Sequence, residues 1–206
     1  MISLINYGLG NITAIQNVYK RLNIPVCVTD EAKSLARAER IILPGVGAFD
    51  AAMHRLNASG MRDVLDELVL EKQVPTLGIC VGMQMMATQS EEGRTPGLRW
   101  IDAEVKRFSP EFMNPIRGVC LPHMGWNQVK PDKSFDLFHG LKEENKFYFL
   151  HSYYFSLKQT EYTSACANYG KNFVAAVQHK NIYGVQFHPE KSHQFGIQLL
   201  KNFAEL

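Results

Sequence analysis

The first half of the chain alternates short apolar runs with amphipathic ones, and this alternation restricts the fold more than any other feature. Residues 2–5, 25–29, 40–43 and 74–79 are apolar runs of strand length. Between the first two lies 11–22, with Ile12, Ile15, Val18, Tyr19 and Leu22 at helical spacing. Residues 32–37 form a short helix candidate. Residues 60–72 place Met61, Val64, Leu65, Leu68 and Val69 on one face, and 81–89 reads as a helix after the fourth strand. Strands alternating with helices predict an α/β fold, a mostly parallel sheet with flanking helices. Right-handed crossovers then bring the loops after the strands to one sheet edge, where such folds bind ligands.

The second half is strand-rich. Residues 103–108, 126–130, 146–156, 163–167, 174–179 and 182–187 all read as extended, and 195–206 as a closing helix with Leu199, Leu200 and Phe203 inward. Residues 89–98 form the loopiest stretch. No repeat or long linker interrupts the chain, so 1–206 is expected to be one domain, a size that buries a core without staples.

Composition removes some functions. The net charge of +2 lacks the basic excess of general nucleic-acid binders. The apolar start is only a strand long and ends at Asn6-Tyr7-Gly8, unlike a signal peptide, and no apolar run reaches membrane-spanning length. The four cysteines, Cys27, Cys80, Cys120 and Cys166, include no C-x-x-C pair. That spacing fits neither a zinc finger nor a disulfide scaffold, and reduced thiols in a cytoplasmic protein are expected. No metal and no cofactor are expected.

One cysteine stands apart. Gly78-Ile79-Cys80-Val81-Gly82 follows a buried strand and opens a helix, the G-x-nucleophile-x-G elbow with Cys in the nucleophile position. The sharp turn lifts the side chain clear of the strand, and the flanking glycines permit the close passage. The helix start favours the thiolate, and the Val81 N–H faces the place where an oxyanion forms. A bare elbow of this kind is equally a buried Cys in a packed turn. Cys27, Cys120 and Cys166 sit in strand-like contexts and read as core or edge residues.

A cysteine nucleophile needs a base, and the base an orienting group. His188-Pro189-Glu190 follows the last apolar strand, so its imidazole can reach the sheet edge that carries Cys80. The Glu190 carboxylate would take one ring nitrogen and Cys80 the other. Alone, His-Pro-Glu is a turn with a helix-capping carboxylate; beside an elbow it reads as half of a triad.

These residues belong to a longer series. Asn6-Tyr7-Gly8-Leu9-Gly10-Asn11, Pro44-Gly45-Val46-Gly47-Ala48-Phe49, Leu77-Gly78-Ile79-Cys80-Val81-Gly82-Met83-Gln84, Ser90-Glu91-Glu92-Gly93, Pro122-His123-Met124-Gly125-Trp126-Asn127, His151-Ser152-Tyr153 and Gly184-Val185-Gln186-Phe187-His188-Pro189-Glu190 occur in one order from end to end. In them the chain resembles the class I (Cys-His-Glu) glutamine amidotransferases, and within these the glutaminase subunits of imidazole glycerol phosphate synthases.

The resemblance implies a flavodoxin-like fold and a glutaminase that releases ammonia through a cysteine thioester. It implies Cys80 as nucleophile, His188 as base and acid, and Glu190 as the group holding His188. It implies an oxyanion hole from Val81 and the backbone at Val46 and Gly47, and L-glutamine contacts at Gly47, Gln84, Ser152 and Tyr153. It also implies a separate cyclase subunit as heterodimer partner, since 206 residues leave no room for a synthase. Met124, Trp126, Asn127 and Tyr148 match positions near that interface.

Two departures, Asn6 for the usual Asp and Val81 for the usual Leu, leave the triad intact. The segments 17–23 and 191–196 resemble a paralogous branch that feeds ammonia to nucleotide-sugar amidation in surface polysaccharide synthesis. A cysteine peptidase-like hydrolase of the same superfamily shares the elbow, but Gln84 and the late His-Pro-Glu argue against it. The complete triad argues against a non-catalytic binding module.

Overall fold

The computed structural model describes residues 1–114, 118–132, 134–141 and 144–206. Among these described residues twelve strands form one sheet: β1 (Ile2–Ile5), β2 (Val26–Thr29), β3 (Arg40–Gly45), β4 (Thr76–Cys80), β5 (Gln89–Ser90), β6 (Ala103–Arg107), β7 (His123–Pro131), β8 (Lys146–His151), β9 (Tyr153–Leu157), β10 (Thr163–Tyr169), β11 (Lys171–His179) and β12 (Ile182–Val185). The helices are α1 (Ile12–Arg21), α2 (Ala32–Leu35), α3 (Phe49–Ala58), α4 (Arg62–Asp66), α5 (Val81–Met85) and α6 (His193–Glu205).

The main path runs β2-β1-β3-β4-β12-β11-β10-β7-β8, with β9, β6 and β5 attached beside β11. From β2 to β12 every pairing is parallel; beyond β12 the main path is antiparallel. In β1, β4 and β12 every residue is buried. A strand buried at every position has both faces covered, which explains the unbroken apolar runs. Helices α1 and α6 pack together, as do α3 and α5, while α5 also lies against β3 and β4.

Several boundaries differ from the sequence reading, each for a tertiary reason. Helix α5 stops at Met85 rather than at residue 89, because the Met85 carbonyl accepts the Leu98 N–H (2.7 Å) and the Ala87 carbonyl accepts that of Arg99 (3.1 Å). The helix expected over 60–72 is α4 followed by a wider π turn, Glu67–Glu71, in which the Lys72 N–H reaches back to the Glu67 carbonyl (3.0 Å). The single run over 146–156 is two strands: β8 pairs with β7, whereas β9 pairs with β6 and β11. The in–out alternation continues across the break at Ser152, which hid it. Helix α3 is an addition. Phe49, Ala52, Met53 and Leu56 are its buried stripe, a helical period made faint by small residues.

The loopy stretch after β5 is firmly held. The Asp50 carboxylate accepts the backbone N–H of Arg94 (3.0 Å) and Thr95 (3.0 Å), and Glu92 accepts that of Phe49 (2.9 Å) at the start of α3. Cys120 is corrected from a core or edge strand residue to an exposed loop residue preceding Leu121-Pro122, whose peptide bond is cis. Cys27 and Cys166 are half-buried in β2 and β10, and all four cysteines are free.

Candidate active site

Three neighbouring parallel strands deliver the site. The register sets Gly45 of β3 against Cys80 of β4, and Ile79 of β4 against Val185 of β12. Val46-Gly47, Cys80-Val81 and the segment leading to His188 therefore leave the carboxyl ends of adjacent strands, where α/β sheets hold ligands.

Cys80 is bent into the turn at φ 55° and ψ −112°, a region side-chain-bearing residues seldom occupy. Close packing holds it there. A Cβ on Gly82 would overlap the Leu43 carbonyl oxygen, and one on Gly45 the Gly82 nitrogen. A Cβ on Gly78 would stand 2.7 Å from the Met83 nitrogen. The elbow thus presses directly on β3, and glycine is the residue that lets the two backbones touch. Tyr7, beyond β1, braces the same strand end: its hydroxyl donates to the Pro44 carbonyl (2.7 Å), just ahead of Val46-Gly47. Burial, reinforced by the charge of Cys80, pushes the Tyr7 hydroxyl pKa up and keeps it a neutral donor.

His188 is 3% exposed, and its Nδ1 lies 2.8 Å from Glu190 Oε1. A carboxylate only accepts, so Nδ1 carries the hydrogen and Nε2 faces Cys80. The same Glu190 oxygen accepts from Asn11 Nδ2 (2.6 Å). Burial opposes charge on both groups, but each is overruled by its neighbours. The Cys80 sulfur and Glu190 push the His188 pKa up, to about 10, and His188 with Asn11 brings the Glu190 pKa down. The His188 backbone is itself anchored, its N–H donating to the Tyr148 carbonyl on β8 (2.8 Å).

The cavity in front of Cys80 has a volume of about 480 Å³, and Val46, Gly47, Val81, Gln84, Ser152 and Tyr153 all line it. Gly47 adopts φ +84°. Gln84, one turn along α5 from Cys80, donates through Nε2 to the Tyr153 carbonyl (3.2 Å) and to Gln186 Oε1 (3.0 Å). Lys191 and Glu92 also reach the cavity wall.

Of the interface candidates, Met124 (64% exposed) and Trp126 (46%) point outward from β7. Register sets them opposite Leu150 and Tyr148 of β8. This apolar outer face adjoins the cavity, because Leu150 lines it as well. Asn127 is turned the other way, its amide donating to His123 Nε2 (3.3 Å) and the Asn168 carbonyl (2.8 Å).

Four polar groups at the site went unassigned in the sequence: Asn11, Gln186, His123 and His151. All four lie inside the motif stretches quoted above, but their contacts are long-range. Among the described residues no group of three or more His, Cys, Asp or Glu converges as a metal site would, and no helix is long and apolar enough to cross a membrane.

A family model described as glutamine amidotransferase class-I matches residues 3–206. The imidazole glycerol phosphate synthase subunit HisH of Bdellovibrio bacteriovorus is 56% identical over 206 residues, with the whole of both chains aligned. The HisH 2 subunit of Pseudomonas aeruginosa is 47% identical, again over all of both chains. A crystal structure of a glutamine amidotransferase superposes on this fold with a TM-score of 0.75 at 18% identity, covering 100% of this chain and 99% of that one. The cysteine elbow and the end-to-end run of motifs thus meet a match across the whole sequence, and the chain belongs to the class I glutamine amidotransferase family.

Proposed function

We propose that this chain is a single glutaminase domain, residues 1–206, serving as the glutaminase subunit of an imidazole glycerol phosphate synthase in histidine biosynthesis. It hydrolyses L-glutamine to glutamate and ammonia and passes the ammonia to a separate cyclase subunit. The observation that carries this reading is the placing of Cys80 and His188 at the wall of one cavity, with Glu190 bonded behind the His188 ring, in a chain whose full-length relatives bear that subunit's name. Those names weigh against a surface-sugar acceptor. The four free thiols suit the cytoplasm.

His188 Nε2 takes the Cys80 proton, and the sulfur attacks the side-chain amide carbon of glutamine. Charge on the carbonyl oxygen is met by the Val81 N–H and the backbone at Val46 and Gly47, donors worth about 10²–10³ in rate each. The C–N bond breaks as His188 returns its proton to the leaving ammonia. Water, deprotonated by His188, then cleaves the thioester to glutamate and the thiol. Glu190 and Asn11 hold the ring through both steps. Gln84, Ser152 and Tyr153 hold the glutamine.

Ammonia must leave unprotonated to act as a nucleophile, so a docked partner at the cavity mouth is part of the design. The outer face formed by Met124, Trp126, Tyr148 and Leu150 suits that docking. It is apolar, Met124, Trp126 and Leu150 are exposed on it, and it includes the strand whose Tyr148 carbonyl holds His188.

The test is Cys80→Ala in the two-subunit complex. Glutamine hydrolysis is expected to vanish while synthesis from added ammonium persists. Equal glutaminase rates in variant and wild type would overturn the assignment. Addition of a cyclase subunit with its nucleotide substrate is expected to raise glutamine turnover; no rise would remove the histidine-pathway acceptor.

A further inference from the structure

One carbonyl sets the direction of a hydrogen-bond chain that ends on the nucleophile. The Tyr153 carbonyl oxygen can only accept. On one side it accepts from His151 Nδ1 (2.7 Å), so the neutral ring leaves His151 Nε2 bare to accept from His123 Nδ1 (2.9 Å). His123 Nε2 accepts in turn from Asn127 Nδ2 (3.3 Å). Burial keeps both rings neutral, pulling the His151 pKa down to about 4 and that of His123 to about 3. This arm pins the carbonyl from behind.

On the other side the same oxygen accepts from Gln84 Nε2 (3.2 Å). The second hydrogen of that nitrogen goes to Gln186 Oε1 (3.0 Å). Gln186 is fully buried, and its Nε2 is left facing the Cys80 sulfur at 3.8 Å. Amide orientation is usually ambiguous; here it is not. A reversed Gln186 would set its NH₂ against that of Gln84 and its oxygen against the sulfur.

We propose that Gln186 is a further catalytic residue of this glutaminase, donating an amide hydrogen to the Cys80 sulfur in an orientation locked through Gln84 by the Tyr153 carbonyl. The proposal rests on the glutaminase reading above. The need for such a donor follows from the other neighbour of the sulfur. The Leu150 carbonyl oxygen stands 3.9 Å from Sγ and suits the thiol as an acceptor. Once His188 has taken the proton, that oxygen faces an anion. The Gln186 N–H offsets the repulsion, and it meets the sulfur again as thiolate when the thioester is hydrolysed. Hydrogen bonds to charged acceptors are the stronger class.

The test uses Gln186→Met and Gln186→Glu in the intact chain. Met keeps the volume and loses both polar contacts; Glu keeps the acceptor for Gln84 and loses the donor. Iodoacetamide alkylation at neutral pH is followed at Cys80 by peptide mass, beside steady-state glutamine hydrolysis. Alkylation of Cys80 is expected to slow about tenfold in the Met variant and further in the Glu variant, with kcat falling in step. KM is expected to rise in the Met variant, where Gln84 loses its acceptor, more than in the Glu variant. Wild-type alkylation and kcat in a folded Met variant would overturn the proposal, whether or not the Glu variant folds. A wild-type chain without glutaminase activity would instead defeat the functional reading, and the alkylation rates would still decide Gln186.

Discussion

Acid should unfold this protein through two histidines that never take up a proton until far below neutrality. His123 and His151 are 2% and 6% exposed, and His123 is stacked against Tyr169 with centroids 3.8 Å apart. Their pKa values lie at about 3 and about 4, whereas an unfolded histidine titrates near 6.5. Below about pH 6.5 the unfolded chain therefore binds protons that the folded chain refuses, and stability falls with pH until the folded rings titrate. Between pH 7.5 and 4.5 the loss is about 2.5 kcal/mol per ring. The perturbation that isolates one ring is His123→Phe, which keeps an aromatic ring in the stack. At pH 7.5 the variant is expected to be less stable by about 1–3 kcal/mol, because His151 Nε2 loses its donor. Its stability should then fall by about 2.5 kcal/mol less than the wild type on going to pH 4.5, so the two curves converge in acid. Carboxylates and His188 are common to both proteins and cancel in the comparison. Urea titrations at three pH values, extrapolated linearly, supply the free energies. Parallel curves for the two proteins would refute the idea that His123 is held neutral by burial.

Three further outcomes are expected. Gly82→Ala forces a methyl group onto the Leu43 carbonyl and should cost about 1–3 kcal/mol or more in urea unfolding; an unchanged midpoint would contradict the close approach of α5 and β3. Glu190→Gln leaves an amide that cannot hold His188 in the required tautomer, and kcat should fall about 10³–10⁴-fold in a glutaminase assay, with the fold retained by circular dichroism. Met124→Asp places a charge on the exposed face of β7 and should weaken binding of the cyclase subunit at least tenfold by calorimetry; undiminished affinity would move the docking surface elsewhere.

Much of this site was legible along the chain, and its limits are instructive. Cys80 stood out because a nucleophile elbow is a local device, written within five residues. The parallel half of the sheet was legible because strands buried on both faces must be continuously apolar. Ser152 was not legible as a break, because the alternation Phe147, Phe149, His151, Phe155 runs straight through it while the pairing partner changes. Asn127 looked like a neighbour of Trp126, but adjacent strand residues point to opposite faces, and its amide is spent internally.

Periodicity, glycine spacing and the elbow are properties of a few consecutive residues, so the sequence by itself determined the α/β class, the candidate nucleophile and the family. His188 and Glu190 were also legible from their motif, but which further groups meet Glu190 and the Cys80 sulfur depends on the order of strands. Glu190 bonds Asn11 across 179 positions, and Gln186 reaches Cys80 across 106. Only the tertiary structure decided those contacts. It alone also brought the Tyr153 carbonyl up against Gln84 and His151, and with it the direction of every hydrogen bond from Asn127 to the sulfur, because an acceptor orients its donors only when the fold has placed them within reach.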